Sequence, residues 1–259
     1  MSRLRAKCPH CGTYTAVALG VDYQCHACGR EFGAGLVRVP RAWGDGGESM
    51  EEAARTLALP WPEAAVVEED SLGEQNLALA ADLPERPLVL GGCCCSHIGA
   101  VEGLVARHGR TAVVWIDAHG DLNTPATSPS GNAWGMPLRM VIDSGTVRPD
   151  DVALVGARNL DLPEEEFIAA SGVRVGAREA VGLVEEARSV YVALDCDSLE
   201  AGEVVPFMPE PDGLSVDEVV ELFEDLRARA RVVGAGLSAF MPDSRNVEPM
   251  TRLCSALGL

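Results

Sequence analysis

The sequence predicts an α/β fold, a mostly parallel sheet with helices on both faces giving three α/β/α layers, behind a small cysteine-rich N-terminal segment. Strand-like apolar runs (PLVL, TAVVWI, VALV, SVYVAL and RVVGAG) recur between stretches of helical periodicity, the alternation from which parallel sheets are built. Polar residues gather where those runs end, at Gly91-Gly92-Cys93, Asp117, Arg158 and Asp195, and open α/β sheets place their sites at the carboxyl ends of strands. The first 32 residues differ in kind. They carry two C-x2-C pairs and set Arg3, Arg5, Lys7 and Arg30 against Asp22 and Glu31, a local excess of two positive charges in a chain of net charge −18.

Taken in order, CPHCG (Cys8, Cys11) and CHACG (Cys25, Cys28) are separated by thirteen residues that include the strand-like TYTAVAL. Four thiolates at that spacing reach one tetrahedral Zn²⁺, and a segment this short has too little core to fold without the metal. Residues 1–32 are therefore expected to form a zinc ribbon with one structural Zn and an interface or capping role, and residues 33–259 a second domain. From Gly33 to about Pro62 the chain is rich in Gly, Pro and Trp; LVRVPRAWGDGG reads as a first strand and loop, and GESMEEAARTLA as a helix. SHIGAVEGLVARHG and SVDEVVELFEDLRARA read as helices, the second opening on Ser215 and Glu218 at capping-box spacing.

Composition removes several classes of function. The acidic balance argues against a nucleic-acid or anionic-membrane partner. Lys7 is the sole lysine, which leaves the larger part without a Schiff-base or Walker lysine. No apolar run approaches the roughly 20 residues of a membrane span, and no signal-peptide pattern is visible, so a cytoplasmic location is expected. Nine cysteines in short-spaced groups point, in a reducing compartment, to metal binding or catalysis rather than to disulfides.

The loops carry the chemistry. In WIDAHGDLNTP, Asp117, His119 and Asp121 alternate, and in VALDCDSLE, Asp195 and Asp197 repeat the spacing; in extended chain, alternate side chains share a face. Five such ligands from two strand ends suffice for two bridged divalent metals, the arrangement that makes hydroxide from water near neutral pH. The bland alternative is a set of helix-capping carboxylates, against which stands the cost of burying carboxylates without a cation. In LVLGGCCCSHIG, the consecutive Cys93, Cys94 and Cys95 are open to three readings: core, disulfide or metal ligand.

WIDAHGDLNTPATSPSGNAWGMP and VALDCDSLE together resemble the paired signatures of the ureohydrolase superfamily, which includes arginase, agmatinase and formiminoglutamase. The resemblance covers about Gly33 to Leu259 and leaves the ribbon outside. It implies a three-layer α/β/α fold, a binuclear manganese centre, a small-molecule substrate hydrolysed at a guanidino or formimino C–N bond, and a homo-oligomer, trimer or hexamer. Matched position by position, Asp117, His119, Asp121, Asp195 and Asp197 take five of the six metal-ligand positions, and Cys94 falls on the sixth, a histidine in the family. A thiolate there favours Zn or Fe over Mn. Three small buried hydrophobes are the alternative reading, a disulfide between neighbouring cysteines being disfavoured by geometry, and His97, one turn on, substitutes if the loop shifts. Asn123 and Ser130 match residues that hold an α-carboxylate, and Asp161 one that receives an α-amino group.

Two departures qualify the resemblance. Trp134 stands where many relatives carry a proton-relaying histidine, and Ala239 where relatives place a glutamate that pairs with a substrate guanidinium. Proton transfer is then expected to fall to His97, to a carboxylate such as Asp121, or to water, with Trp134 shaping the pocket or stacking on substrate. The implied function is metal-dependent hydrolysis, by a metal-bound hydroxide, of a C–N bond in a guanidino, formimino, ureido or amide compound, amino-acid-like ones included. A second reading is a catalytically degenerate subunit of this fold that binds a ligand or serves assembly.

Overall fold

A computed structural model describes residues 8, 11, 13–19, 22–32 and 35–259. Gly33, where the domain boundary is expected, and the basic residues Arg3, Arg5 and Lys7 lie outside the described residues. Near the N-terminus, β1 (Ala16–Leu19), β2 (Asp22–Cys25) and β3 (Glu31–Phe32) form an antiparallel three-stranded sheet. It is not detached from the rest: Cys8, Ala16, Tyr23 and Cys25 belong to the same buried cluster as Val37 and Ala64, and the Tyr14 hydroxyl donates to Glu63 Oε1 at 3.0 Å.

The main sheet has eight parallel strands. These are β4 (Leu36–Val39), β5 (Glu63–Val66), β6 (Leu88–Gly91), β7 (Ala112–Ile116), β8 (Val152–Val155), β9 (Arg174–Val175), β10 (Ser189–Asp195) and β11 (Arg231–Ser238), in the spatial order β5-β4-β6-β11-β10-β7-β8-β9. The six central strands are apolar almost throughout because both faces are covered, as parallel sheets require. Alternate residues divide between two cores. Val113, Trp115, Tyr191 and Ala193 face one cluster, with residues of α2 (Leu72–Asp82), α3 (Ser96–His108), α4 (Pro137–Asp143) and α5 (Leu162–Ser171). Val114, Ile116, Val192 and Leu194 face the other, with α6 (Ala177–Ala187), α7 (Val216–Arg229), α8 (Val247–Ala256) and Ala53 and Ala54 of α1 (Glu48–Thr56). The result is the expected three-layer α/β/α fold.

Local chemistry sets the element ends as expected in several places. Ser215 Oγ accepts from Glu218 N at 3.2 Å while Glu218 Oε2 accepts from Ser215 N at 2.8 Å, so the capping box at α7 forms. After β6, Gly92 lies against the Pro40 carbonyl, where any Cβ would overlap it, and this close approach turns the chain into the three cysteines that precede α3. Two strands, β5 and β9, went unread in the sequence. They form the outer edges, are two to four residues long and only partly buried, so they lack the apolar run that marks the central strands. Among the described residues, no helix is long and apolar enough to cross a membrane.

Candidate metal centre

Four neighbouring strands deliver the polar cluster from their carboxyl ends. Cys94 follows β6, Ser238 ends β11, Asp195 closes β10 with Asp197 just beyond, and Asp117, His119 and Asp121 follow β7. The strand β7 stops at Ile116 and Asp121 has a positive φ of 53°, so the acidic loop is not the extended chain assumed from its alternation. A shared local device organises both motifs instead. Asp117 Oδ1 accepts from His119 N at 2.8 Å, and Asp195 Oδ1 accepts from Asp197 N at 2.9 Å, the carboxylate-to-backbone turn typical of aspartate. The two loops are tied together where Ala118 N donates to Asp197 Oδ1 at 3.1 Å.

The donor atoms fall into two groups, each within 4.8 Å: Cys94, Asp117 and Asp121, and Asp117, His119 and Asp197. Asp117 belongs to both. His119 Nδ1 lies 3.0 Å from Asp197 Oδ2 and 3.5 Å from Asp117 Oδ1. Cys94 Sγ donates to Asp195 Oδ2 at 2.9 Å and lies 3.1 Å from Ser238 Oγ. All six residues predicted to bind metal are thus brought together, Asp195 lying outside both triads but bonded to Cys94 of one and to Asp197 N of the other.

The four aspartates are buried. Burial, then the charge of Asp197, raises Asp117 to about 6; burial and the neighbouring aspartates hold Asp121 and Asp195 well above the usual carboxylate range. Burial likewise lifts the Cys94 thiol, and Asp195 adds to it. At His119, burial works against the charged form, but the hydrogen bonds and charges of Asp117 and Asp197 outweigh it and push the imidazole up to about 12. One imidazolium cannot neutralise four carboxylates. Asp121 Oδ2, moreover, is a buried oxygen without a hydrogen-bond partner, which native interiors rarely tolerate. Carboxylates, an imidazole and a thiol with an orphaned acceptor among them fit divalent cations.

A second donor set is formed by Cys8, Cys11, Cys25 and Cys28, whose sulfurs lie within 4.8 Å of one another, with Cys8 and Cys28, and Cys11 and Cys25, each 3.6 Å apart. These four could hold one Zn²⁺ in the closed, all-thiolate manner. No disulfide joins any of the nine cysteines.

Above the cluster opens a cavity of about 140 Å³. Asn123, Ser130, Asp161 and Trp134 line it, as does Ala239. Asn123 is committed within the wall, donating through Nδ2 to Asp161 Oδ2 at 2.8 Å and accepting from Thr127 Oγ1 at 2.9 Å, while Ser130 Oγ accepts from Asn132 N at 3.2 Å. His97 corrects an expectation. Its ring is fully buried behind the cluster rather than at the cavity, with Nδ1 at 3.0 Å from the Tyr191 hydroxyl and Nε2 at 3.2 Å from Ser238 Oγ, edge-on to Trp115. Burial drops its pKa to about 3, so it neither reaches substrate nor replaces Cys94. Cys93 lines the cavity and its Sγ accepts from Trp43 N at 3.4 Å, whereas Cys95 is buried.

Three contributors went unread. Glu164 lines the cavity and its Oε1 accepts from Leu122 N at 2.9 Å, fixing the acidic loop. Ser238 bridges Cys94 and His97. Glu210 Oε1 sits 3.6 Å from His119 Nε2 and accepts from Asn159 Nδ2 at 3.1 Å. A lone glutamate in PEPDG has no ligand spacing to betray it; only the fold brings it to His119.

Fold and site together define a three-layer α/β protein with a metal-receptive carboxylate centre at the carboxyl edge of its parallel sheet. A sequence profile of the arginase family matches residues 65–257, and the chain belongs to that family. It is 34% identical over 165 residues to an arginase of Bacillus caldovelox (51% of this chain, 55% of that one). To the N(omega)-hydroxy-L-arginine amidinohydrolase of Streptomyces lavendulae it is 35% identical over 162 residues, covering 58% of this chain and 59% of that one. The chain thus spans about half the length of the curated relatives it matches. The crystal structure of arginase from Bacillus subtilis superposes with a TM-score of 0.74 over 87% of this chain and 98% of that chain, at 24% identity.

Proposed function

We propose that this chain is a metal-dependent hydrolase acting on a non-peptide C–N bond of a guanidino, formimino, ureido or amide compound. The observation that carries the proposal is the pair of ligand triads sharing Asp117 on the floor of a cavity. Relatives named as arginase and hydroxyarginine amidinohydrolase support the reaction class. Divalent cations, when bound, supply acidified water and electrophilic polarisation; Asp117, Asp121 and Cys94 would hold one and Asp117, His119 and Asp197 the other, with Asp195 completing the set. Cys94, a thiol in an otherwise hard donor set, tilts the first position from Mn toward Zn or Fe.

The chain's own groups divide the remaining work. Asp121, whose Oδ2 has no donor of its own, would give one carboxylate oxygen to metal and leave the other to accept a proton from water. Trp134 walls the cavity and cannot titrate. Glu210 Oε1, 3.6 Å from His119 Nε2, sets a negative charge at the outer edge of the ring, leaving Nδ1 for metal. Glu210→Gln is expected to weaken metal binding by up to about tenfold, the low end of the cost of losing an outer carboxylate, measurable by competition with a chelating dye.

Residues 1–32 are read as a zinc ribbon with one structural Zn, packed on a hydrolase domain of residues 33–259, in a cytoplasmic homo-oligomer, trimer or hexamer. Hydrolysis is tested by incubating the Mn-, Zn- or Fe-loaded protein with a panel of guanidino, formimino, ureido and amide compounds and measuring released ammonia or urea. Turnover of any member supports the proposal. Two bound metals with no turnover across the panel would leave the degenerate ligand-binding subunit that Trp134, Ala239 and Cys94 suggest.

A further inference from the structure

We infer that the substrate is a carbon-substituted amidine that carries a flat apolar group and no carboxylate. The inference rests on the hydrolase proposal and narrows it. Two independent features of the cavity lead to it: its charge and its wall.

Among the described residues, no arginine or lysine lines the cavity, whereas six carboxylates do: Asp117, Asp121, Asp161, Glu164, Asp195 and Asp197. Two divalent cations offset four of these, leaving a floor that attracts a cationic amidinium and repels a carboxylate.

The wall is apolar and fixed. Trp134 packs so closely on Gly44 that a Cβ there would overlap its ring, and it meets Phe207 edge-on at 6.1 Å between centroids. Its loop is pinned by Ala133 N donating to Trp43 O at 2.9 Å and Asp45 N to Asn132 Oδ1 at 3.0 Å. Phe207 N in turn donates to Ala239 O at 2.9 Å, which joins this aromatic corner to the strand end beside the cluster. A methyl group and two aromatic rings form this side of the cavity and present no side-chain hydrogen-bond acceptor to a third nitrogen. They suit a carbon substituent, best a flat one.

The reaction balances without redox chemistry: the oxygen of water bonds to the amidine carbon, one C–N bond breaks with its electron pair on nitrogen, and one water proton goes to each nitrogen, giving a primary amide and ammonia. The test compares benzamidine, acetamidine, L-arginine and N-formimino-L-glutamate as substrates of the metal-loaded chain. Expected is a kcat/KM for benzamidine at least about tenfold above both amino acids, the scale on which apolar pockets discriminate. Trp134→Ala should lower the benzamidine value about tenfold and barely change acetamidine, while Trp134→Phe retains it. A preference for either amino acid, or equal loss for both amidines in Trp134→Ala, overturns the inference while leaving hydrolysis standing. If nothing turns over, hydrolysis falls, and calorimetric binding still decides: benzamidine bound more tightly than arginine supports the cavity's assignment, and the reverse overturns it.

Discussion

Asp117→Asn is expected to abolish turnover while leaving the protein folded. Asp117 is the one residue common to both ligand triads, so removing its charge weakens two metal positions at once. The loss in kcat/KM should be on the order of 10³-fold or more, corresponding to the several kcal/mol that a metal's charge stabilisation supplies. A folding defect is easily told apart from this. The substitution keeps the side chain's shape and removes one of four crowded buried carboxylates, which offsets the loss of one of the two bonds Asp117 accepts, from Trp115 Nε1 at 3.1 Å and His119 N at 2.8 Å. The metal-free variant should therefore melt within a few degrees of the metal-free parent, as followed by circular dichroism.

Stripping the metal is expected to cost the parent chain heavily and to reverse its pH dependence. Cations present at about 1,000 times their dissociation constant stabilise by about 4 kcal/mol, which for a chain of this size lowers the melting temperature by roughly 10 °C on chelation. Without cations, burial and then neighbouring carboxylates hold Asp117 at about 6 and raise Asp121 and Asp195 further, whereas the unfolded chain titrates these groups normally. The folded metal-free chain thus binds more protons than the unfolded one, and its stability falls as pH rises. For Asp117 that loss spans the ordinary carboxylate value of 3.8 to about 6; for Asp121 and Asp195 it continues upward. The metal-loaded chain should show the opposite slope, because cations compete with protons for the same oxygens. Melting curves from pH 5 to 8 with and without chelator check both signs; a metal-free chain that gains stability with rising pH would be incompatible with the crowded carboxylates.

The central strands and the acidic loops were legible in the sequence because burial on both faces writes continuous apolar runs, and because aspartates repeated at strand ends have few structural uses. TAVVWI and SVYVAL became β7 and β10, and the residues after them meet as expected. What escaped was set by tertiary placement. The edge strands β5 and β9 are too short and too exposed to leave a periodic mark. His97 reads as a reactive histidine until the first turn of α3 is seen to bury it against Tyr191 and Ser238. Asn123 and Asp161 match substrate-binding positions, yet bond to each other. Glu210 reaches His119 across a span of sequence that no spacing rule connects.

The most direct test of the binuclear centre is the metal content of the 259-residue chain, purified under metal-replete conditions and measured by elemental mass spectrometry alongside Asp117→Asn. About three ions per chain are predicted, two at the carboxylate centre and one at the four cysteines, with at least one lost in the variant. A single ion in the parent, or a complement unchanged by Asp117→Asn, would contradict the binuclear centre.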